Sequence, residues 1–210
     1  WSDLKNTARL KEIYDTRITI IKSAREFFWS QHFVETDTPI AVRLASQEPY
    51  LNPVSISLHD PNSQSEKFYL RTSPEYALKK LLAAGYEKVF EIGKCFRDFE
   101  SFGGNHNPEF TILEWYRSPG TYYHIMDDTE KLFQHVGKQL QKHIVVYKNQ
   151  QVSIEGSWDR LSMREVWQQF LGIELNDYLE LSKLSELAKS KGCTVADADA
   201  YEDVFYKIFL

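Results

Sequence analysis

Cysteine is scarce: the 210 residues hold two, Cys95 and Cys193. Far apart, they match no metal-ligand spacing and no disulfide framework, so the chain reads as a reduced, cytoplasmic one. Long apolar runs are missing. No stretch is long enough to cross a bilayer and no secretory leader opens the chain, so no membrane role is expected. Internal repeats and low-complexity tracts are absent. Positive charge is short as well, with 25 Lys and Arg against 30 Asp and Glu and a formal net charge of −5. Phosphate contacts need clustered Lys and Arg, so such a chain is a poor autonomous nucleic-acid binder, although a local basic patch would escape that argument. His32, His59, His124, His135 and His143 show no metal-type clustering and read as surface residues.

What is present is an ordinary globular composition, 42% hydrophobic and 26% charged, with a length that suits one domain spanning residues 1–210. An aromatic content of 14% allows a sizeable core. Trp1 reads as an arbitrary start. The apolar residues before Leu210 carry no stop signal and read as an element cut short. From about Leu10 to Phe28, Leu10, Ile13, Tyr14, Ile18, Ile21, Ala24 and Phe28 form one helical stripe. Phe33 to Pro39 reads as a short extended piece, because proline forces Thr38 away from helix. Asn52 to Leu58 and Lys67 to Arg71 read as strands joined by a polar loop. Thr72-Ser73-Pro74-Glu75 starts a helix that Gly85 ends. Further helices are expected over Tyr122 to Leu140, from the capping box Ser162-Met163-Arg164-Glu165 to Gly172, and near Leu181 to Lys191 and Tyr201 to Leu210. Trp158, Trp167 and Phe170 read as core or interface, and Asp197, Asp199, Glu202 and Asp203 as a solvent-facing acidic run.

The chemistry concentrates in a hairpin, Val89 to Arg97 and Glu109 to Arg117, joined by a polar loop. Side chains alternate along a strand, so Phe110, Ile112, Glu114 and Tyr116 share one face, as do Glu91, Gly93, Cys95 and Arg97. A carboxylate and a phenol beside apolar residues are odd for a core face. Together with Arg97 they could line one groove. Phe110 offers a ring for stacking a base, Arg97 a fork of donors for phosphate or carboxylate, and Glu114 with Tyr116 a partner for an ammonium. Four strand residues separate Phe110 from Glu114, roughly 13 Å at about 3.3 Å each. By pattern alone, a polar sheet edge with a solvated rim arginine fits equally, and Glu75 fits as a carboxylate at a helix N-terminus. Asp127 and Asp128 are acids near a helix start, and Cys95 reads as a small packed residue.

Phe96-Arg97-Asp98, followed by His106-Asn107-Pro108-Glu109-Phe110-Thr111-Ile112-Leu113-Glu114-Trp115-Tyr116-Arg117, resembles motif 2 of the class II aminoacyl-tRNA synthetases, in their lysyl branch. Val34-Glu35-Thr36-Asp37-Thr38-Pro39 resembles motif 1, the dimer-forming element, and Thr72-Ser73-Pro74-Glu75-Tyr76 also matches the lysyl branch. The Glu-Trp-Tyr-Arg ending is most similar to the elongation factor P lysine ligases. The resemblance implies an α+β fold, an antiparallel sheet flanked by helices, incomplete here and covering the N-terminal portion with motifs 1 and 2. It implies ATP with Mg²⁺, a lysine-like amino acid, and a homodimer through motif 1. Arg97 would hold the α-phosphate and the amino-acid carboxylate as the catalytic residue. Phe110 would stack adenine, with Asp98, Glu100, His106 and Asn107 near the nucleotide. Ser73 and Glu75 would take the α-ammonium, and Glu114 and Tyr116 the distal amine. The implied reaction makes an aminoacyl-adenylate from lysine or β-lysine. It then passes the acyl group to a lysine of elongation factor P or, alternatively, to tRNA(Lys). A non-catalytic paralogue binding a nucleotide or partner is a third reading.

Two departures stand out. The family places Glu two residues after the motif 2 arginine, where Phe99 stands here and Glu100 follows. The loop is one residue longer, and Gly103-Gly104-Asn105 replace a basic residue, which weakens the expected hold on phosphate. The family's motif 3, with its second arginine, and its acidic Mg²⁺ residues are not found before Leu210. This polypeptide alone is therefore expected not to form adenylate.

Overall fold

The computed structural model describes residues 8–100 and 106–210, so Trp1 and the Gly103-Gly104-Asn105 departure lie outside the described residues. The chain divides into two compact units, residues up to Gly156 and Ser157–Leu210. Each is taken by itself.

In the first unit, α1 (Ala8–Ser30) carries the expected stripe. Its C-terminal half buries Ala24, Phe27 and Phe28, while Ile13, Tyr14 and Ile18 nearer its start are exposed. The chain then enters β1 (Val34–Glu35) and β2 (Ala41–Val42), followed by β3 (Ser55–His59) and β4 (Ser65–Leu70). Next come α2 (Glu75–Ala83), β5 (Lys88–Phe96) and β6 (Glu109–Arg117), and α3 (Tyr122–Leu140) closes over the sheet. β5 and β6 form the expected antiparallel hairpin, with β1 added parallel to β5 at the edge. β2, β4 and β3 form a second antiparallel sheet.

The two faces of the hairpin have different fates. Phe90, Ile92, Leu113 and Trp115 face α1 and α3 and pack with Phe27, Phe28, Phe33 and Leu132. Phe28 stacks on Phe90 with ring centroids 4.8 Å apart. Burying these aromatics pins the hairpin by one side, roughly 1.5–3 kcal/mol for each large side chain. Arg117 leaves the strand on that side and grips Asp128 with two bonds, 2.9 and 3.1 Å. Asp128, read from sequence as one of two acids near a helix start, is thus a buried ion-pair partner. His135, read as a surface residue, is half-buried, its ring 5.9 Å from that of Phe27. The opposite hairpin face carries Glu91, Gly93, Cys95, Phe110, Glu114 and Tyr116, because Cα partners across the ladder share a face.

That face rests on a buried ion pair that sequence reading did not identify. Arg71, just past β4, meets Glu91 of β5 at 2.5 Å, and both side chains are almost wholly buried. Arg71 also donates to the Lys94 carbonyl at 3.0 Å and to the Thr38 carbonyl and hydroxyl at 3.0 and 2.7 Å. The Thr38 hydroxyl in turn donates to Glu91 at 2.7 Å. Gly93 is required here, because a Cβ would overlap the Arg71 guanidinium. A further hairpin follows α3, β7 (Ile144–Tyr147) with β8 (Gln150–Ser153), turned by Lys148 and Asn149 at positive φ.

The second unit is helical: α4 (Met163–Leu171), a short 3₁₀ turn (Leu175–Tyr178), α5 (Leu181–Ser190) and α6 (Tyr201–Phe209). Ser162 and Glu165 form the expected capping box, and Gly172 ends α4 at φ 67°. Trp167 fills the centre with Leu184, Ala188 and Val204, and stacks on Phe205. Phe170, read as core or interface, is 69% exposed and so is not part of this unit's core. The acidic run is not simply solvated. Asp199 pairs with Lys207 and accepts the Ala196 amide, and Asp203 accepts the Ala200 amide at 2.9 Å, which satisfies donors at the start of α6.

Candidate active site

The chain turns from β4 into α2 through Thr72-Ser73-Pro74. There the Ser73 hydroxyl accepts the Glu75 amide at 3.0 Å, a local cap that fixes both side chains beside the sheet. The same hydroxyl donates to Glu114 Oε1 at 2.6 Å, and the Tyr116 hydroxyl donates to Glu114 Oε2 at 3.1 Å. Each oxygen of Glu114 therefore has one fixed donor. Glu91 stands directly opposite on β5. Two facing carboxylates would repel, but Glu91 is neutralised by Arg71, so Glu114 is the acid left facing the groove.

Arg97 follows β5, its amide bonded to the Pro108 carbonyl at 2.9 Å. Its guanidinium lies over the Phe110 ring, 4.9 Å from the centroid, and its Nε is buried without a partner. A cavity of about 260 Å³ opens beside it, lined by Arg97, Glu114, Ser73, Glu75 and Tyr76, and by Ser46, Glu48 and Leu51 from the loop between β2 and β3. The lining thus combines one guanidinium with three carboxylates. That arrangement is complementary to a small molecule carrying both an anionic and a cationic group.

The expected site residues are partly assembled. Arg97, Ser73, Glu75 and Glu114 share the cavity, with Tyr116 bonded to Glu114 and Phe110 stacked under Arg97. Asp98, Glu100, His106 and Asn107 do not line it. His106 and Glu100 meet at 3.3 Å near the hairpin tip, and Asp98 accepts the Phe99 amide at 2.9 Å. Phe99 itself has φ 58° and is 87% exposed. Glu75 accepts from Lys79 at 2.5 Å, so its carboxylate already has an exposed cation. Sequence reading missed Ser46, Glu48 and Leu51, because no periodicity marks a loop residue that folds over a site. Among the described residues no group of three or more His, Cys, Asp or Glu is placed to hold a metal.

Burial raises two acids beneath the groove. The Cys95 thiol, packed under Arg71 and Phe110, is pushed up from its ordinary 9.0 to about 11 by desolvation, against the pull of Arg71. Tyr116 is raised by burial first, then by Glu114 and Glu75. Both groups hold their protons more tightly when folded. The Cys95 contribution is complete below about pH 9 and is lost as pH rises through about 11, and that of Tyr116 is lost only at still higher pH. The urea midpoint should therefore fall between pH 8 and 10.5, and Cys95→Ala should flatten that fall. A midpoint insensitive to pH across this range would contradict the burial argument.

A mixed sheet backed by helices, with a motif 2 hairpin whose free face gathers an arginine, an aromatic shelf and carboxylates, defines a class II synthetase catalytic core. A family model, tRNA synthetases class II (D, K and N), matches residues 1–202, and the chain belongs to that family. Among similar proteins, the lysine–tRNA ligase of Thermoanaerobacter sp. (strain X514) is 33% identical over 193 residues, covering 90% of this chain and 37% of the relative. That of Carboxydothermus hydrogenoformans is 30% identical over 211 residues, covering 99% and 42%. That of Mesomycoplasma hyopneumoniae (strain J) is 34% identical over 198 residues, covering 92% and 38%. The chain spans less than half the length of these relatives. No helix among the described residues is long and apolar enough to cross a membrane.

Proposed function

We propose that this cytoplasmic protein activates lysine or β-lysine with ATP. The observation that carries the reading is that Arg97 lines the same cavity as Glu114, whose oxygens are oriented by Ser73 and Tyr116. The amino-acid carboxylate oxygen attacks the α-phosphorus of ATP, a new P–O bond forms, and the bond to the pyrophosphate leaving group breaks. Arg97 faces the oxygens on which charge accumulates, and its unpartnered buried Nε fits that anion. Phe110 supplies the adenine shelf, with Asp98, Glu100, His106 and Asn107 toward the nucleotide. Glu75 and Ser73 take the α-ammonium, and Glu114 with Tyr116 the distal ammonium. Mg²⁺ would accompany the phosphates. The described residues offer no metal-holding group, so no step is assigned to it.

Residues 1–210 form, in this reading, the N-terminal portion of one catalytic domain with motifs 1 and 2. The names of the relatives favour a tRNA terminus as the acceptor. A lysine of elongation factor P is the second reading, favoured by the Glu114-Trp115-Tyr116-Arg117 ending of the hairpin. A homodimer through motif 1 is supported by exposed Val34, Leu44 and Tyr86 around a cavity of about 940 Å³ lined by the Val34 to Pro39 segment.

The test is pyrophosphate exchange by the complete gene product with lysine, β-lysine and norleucine, followed by transfer of labelled lysine to tRNA or to elongation factor P. Exchange should require a distal amine, and Glu114→Gln should lower kcat/KM for lysine by roughly 10- to 200-fold, the scale of a hydrogen bond to a charged group. Equal exchange with norleucine would overturn the reading.

A further inference from the structure

We propose that Glu48 is a specificity-determining residue of this cavity, a third carboxylate that takes part in holding the substrate's ammonium at the Glu75 end. The inference rests on reading the cavity as a lysine site. Three carboxylates line it, and their present partners differ. Glu114 has Ser73 and Tyr116, Glu75 has Lys79, and Glu48 makes no ion pair with a basic side chain among the described residues. Its field reaches the same place as that of Glu75. The Lys79 ammonium, hydrogen-bonded to Glu75, also feels the charge of Glu48.

The loop that carries Glu48 is tied to the site rather than hanging free. The Glu48 carbonyl accepts the Leu51 amide at 3.3 Å and its amide donates to the Ser46 hydroxyl at 3.4 Å. One residue after Leu51, the Asn52 carbonyl accepts the Asp98 amide at 2.7 Å, next to Arg97. The loop thus closes against the residue that follows the site arginine, which sets Ser46, Glu48 and Leu51 along one wall. A substrate with two ammonium groups and one carboxylate brings one more positive charge than negative. Glu75 and Glu114 can each take one ammonium, but Glu75 must share with Lys79. Glu48 supplies the charge that this sharing removes.

The experiment is pyrophosphate exchange with lysine by the complete gene product, comparing wild type, Glu48→Gln and Glu48→Asp, with thermal unfolding of each. Glu48 is exposed, so folding should be unaffected. Glu48→Gln should raise the KM for lysine about three- to tenfold with kcat nearly unchanged, the scale of a partly solvated charge contact. Glu48→Asp should recover most of the loss. An active wild type whose lysine KM is the same in Glu48→Gln would overturn the role of Glu48 while leaving the lysine reading intact. A wild type that does not exchange with lysine or β-lysine would remove the reading on which the inference stands.

Discussion

Replacing Arg71 by methionine should cost about 3–5 kcal/mol of stability, the usual penalty for stranding one member of a buried ion pair. For a chain of this size that is a fall of roughly 6–20 °C in Tm. The reason lies in what Arg71 touches. Its guanidinium is 4% exposed and the facing Glu91 carboxylate 3%, so neither can turn to water. Without the guanidinium, Glu91 keeps the Thr38 hydroxyl and amide as donors but loses its counter-charge. The Lys94 and Thr38 carbonyls lose their Arg71 donor at the same time. A double variant, Arg71→Met with Glu91→Leu, should regain most of the loss, because removing both charges also removes the desolvation penalty. Circular dichroism melts of the single and double variants decide the matter. A single variant that melts within a degree of wild type would show that Glu91 finds water or another cation.

The consequence of that pair reaches the site. Thr38 ends the motif 1 segment, Arg71 precedes the Ser73-Glu75 cap, and Glu91 sits across from Glu114. One guanidinium therefore joins three chain segments and neutralises the carboxylate that faces Glu114 across the hairpin.

Most of this hairpin was legible from sequence for a simple reason. Alternation along β5 and β6 is a local property, and the faces it assigns are the faces observed: apolar Phe90, Leu113 and Trp115 on the helices, Glu114 and Tyr116 away from them. The α3 limits and the Ser162 capping box are local as well, and they were read correctly. The Arg71–Glu91 contact joins residues 20 positions apart, one just past β4 and one on β5, and no periodicity announces it. The β7–β8 hairpin was missed because its turn, Lys148-Asn149, lacks glycine, with asparagine and lysine both taking positive φ. His135 looked like a surface residue because a lone histidine carries no signal of which helix face it occupies. Glu48 was invisible for a related reason, since a loop has no repeating face from which to read direction. The helices from Ser162 onward were legible from their caps and periodicity, but their shared core around Trp167 emerges only from contacts.

If the cavity is the adenylate-forming site proposed above, Arg97→Ala in the complete gene product should lower kcat for pyrophosphate exchange by about 10²- to 10³-fold, the scale of removing one preorganised donor from a developing oxyanion. The geometry sharpens this. The guanidinium lies over the Phe110 ring, 4.9 Å from its centroid, a contact of about 0.5–1 kcal/mol at a partly exposed position. A phosphate or carboxylate offers a charge-assisted pair that is stronger, so binding would draw the guanidinium from the ring or leave adenine the other ring face. The Phe110 ring thus packs against the Arg97 guanidinium and helps to fix its position. Lysine cannot replace it, because an ammonium lacks the planar fork that spans two oxygens and stacks flat on a ring. Arg97→Lys should therefore remain within about tenfold of Arg97→Ala, far below wild type, while Phe110→Leu should raise the KM for ATP more than it lowers kcat. Steady-state exchange at varied ATP and lysine separates these effects, with melting curves to show that each variant folds. An Arg97→Lys enzyme working within threefold of wild type would mean that charge alone suffices at this position and that the guanidinium geometry has no part in the reaction.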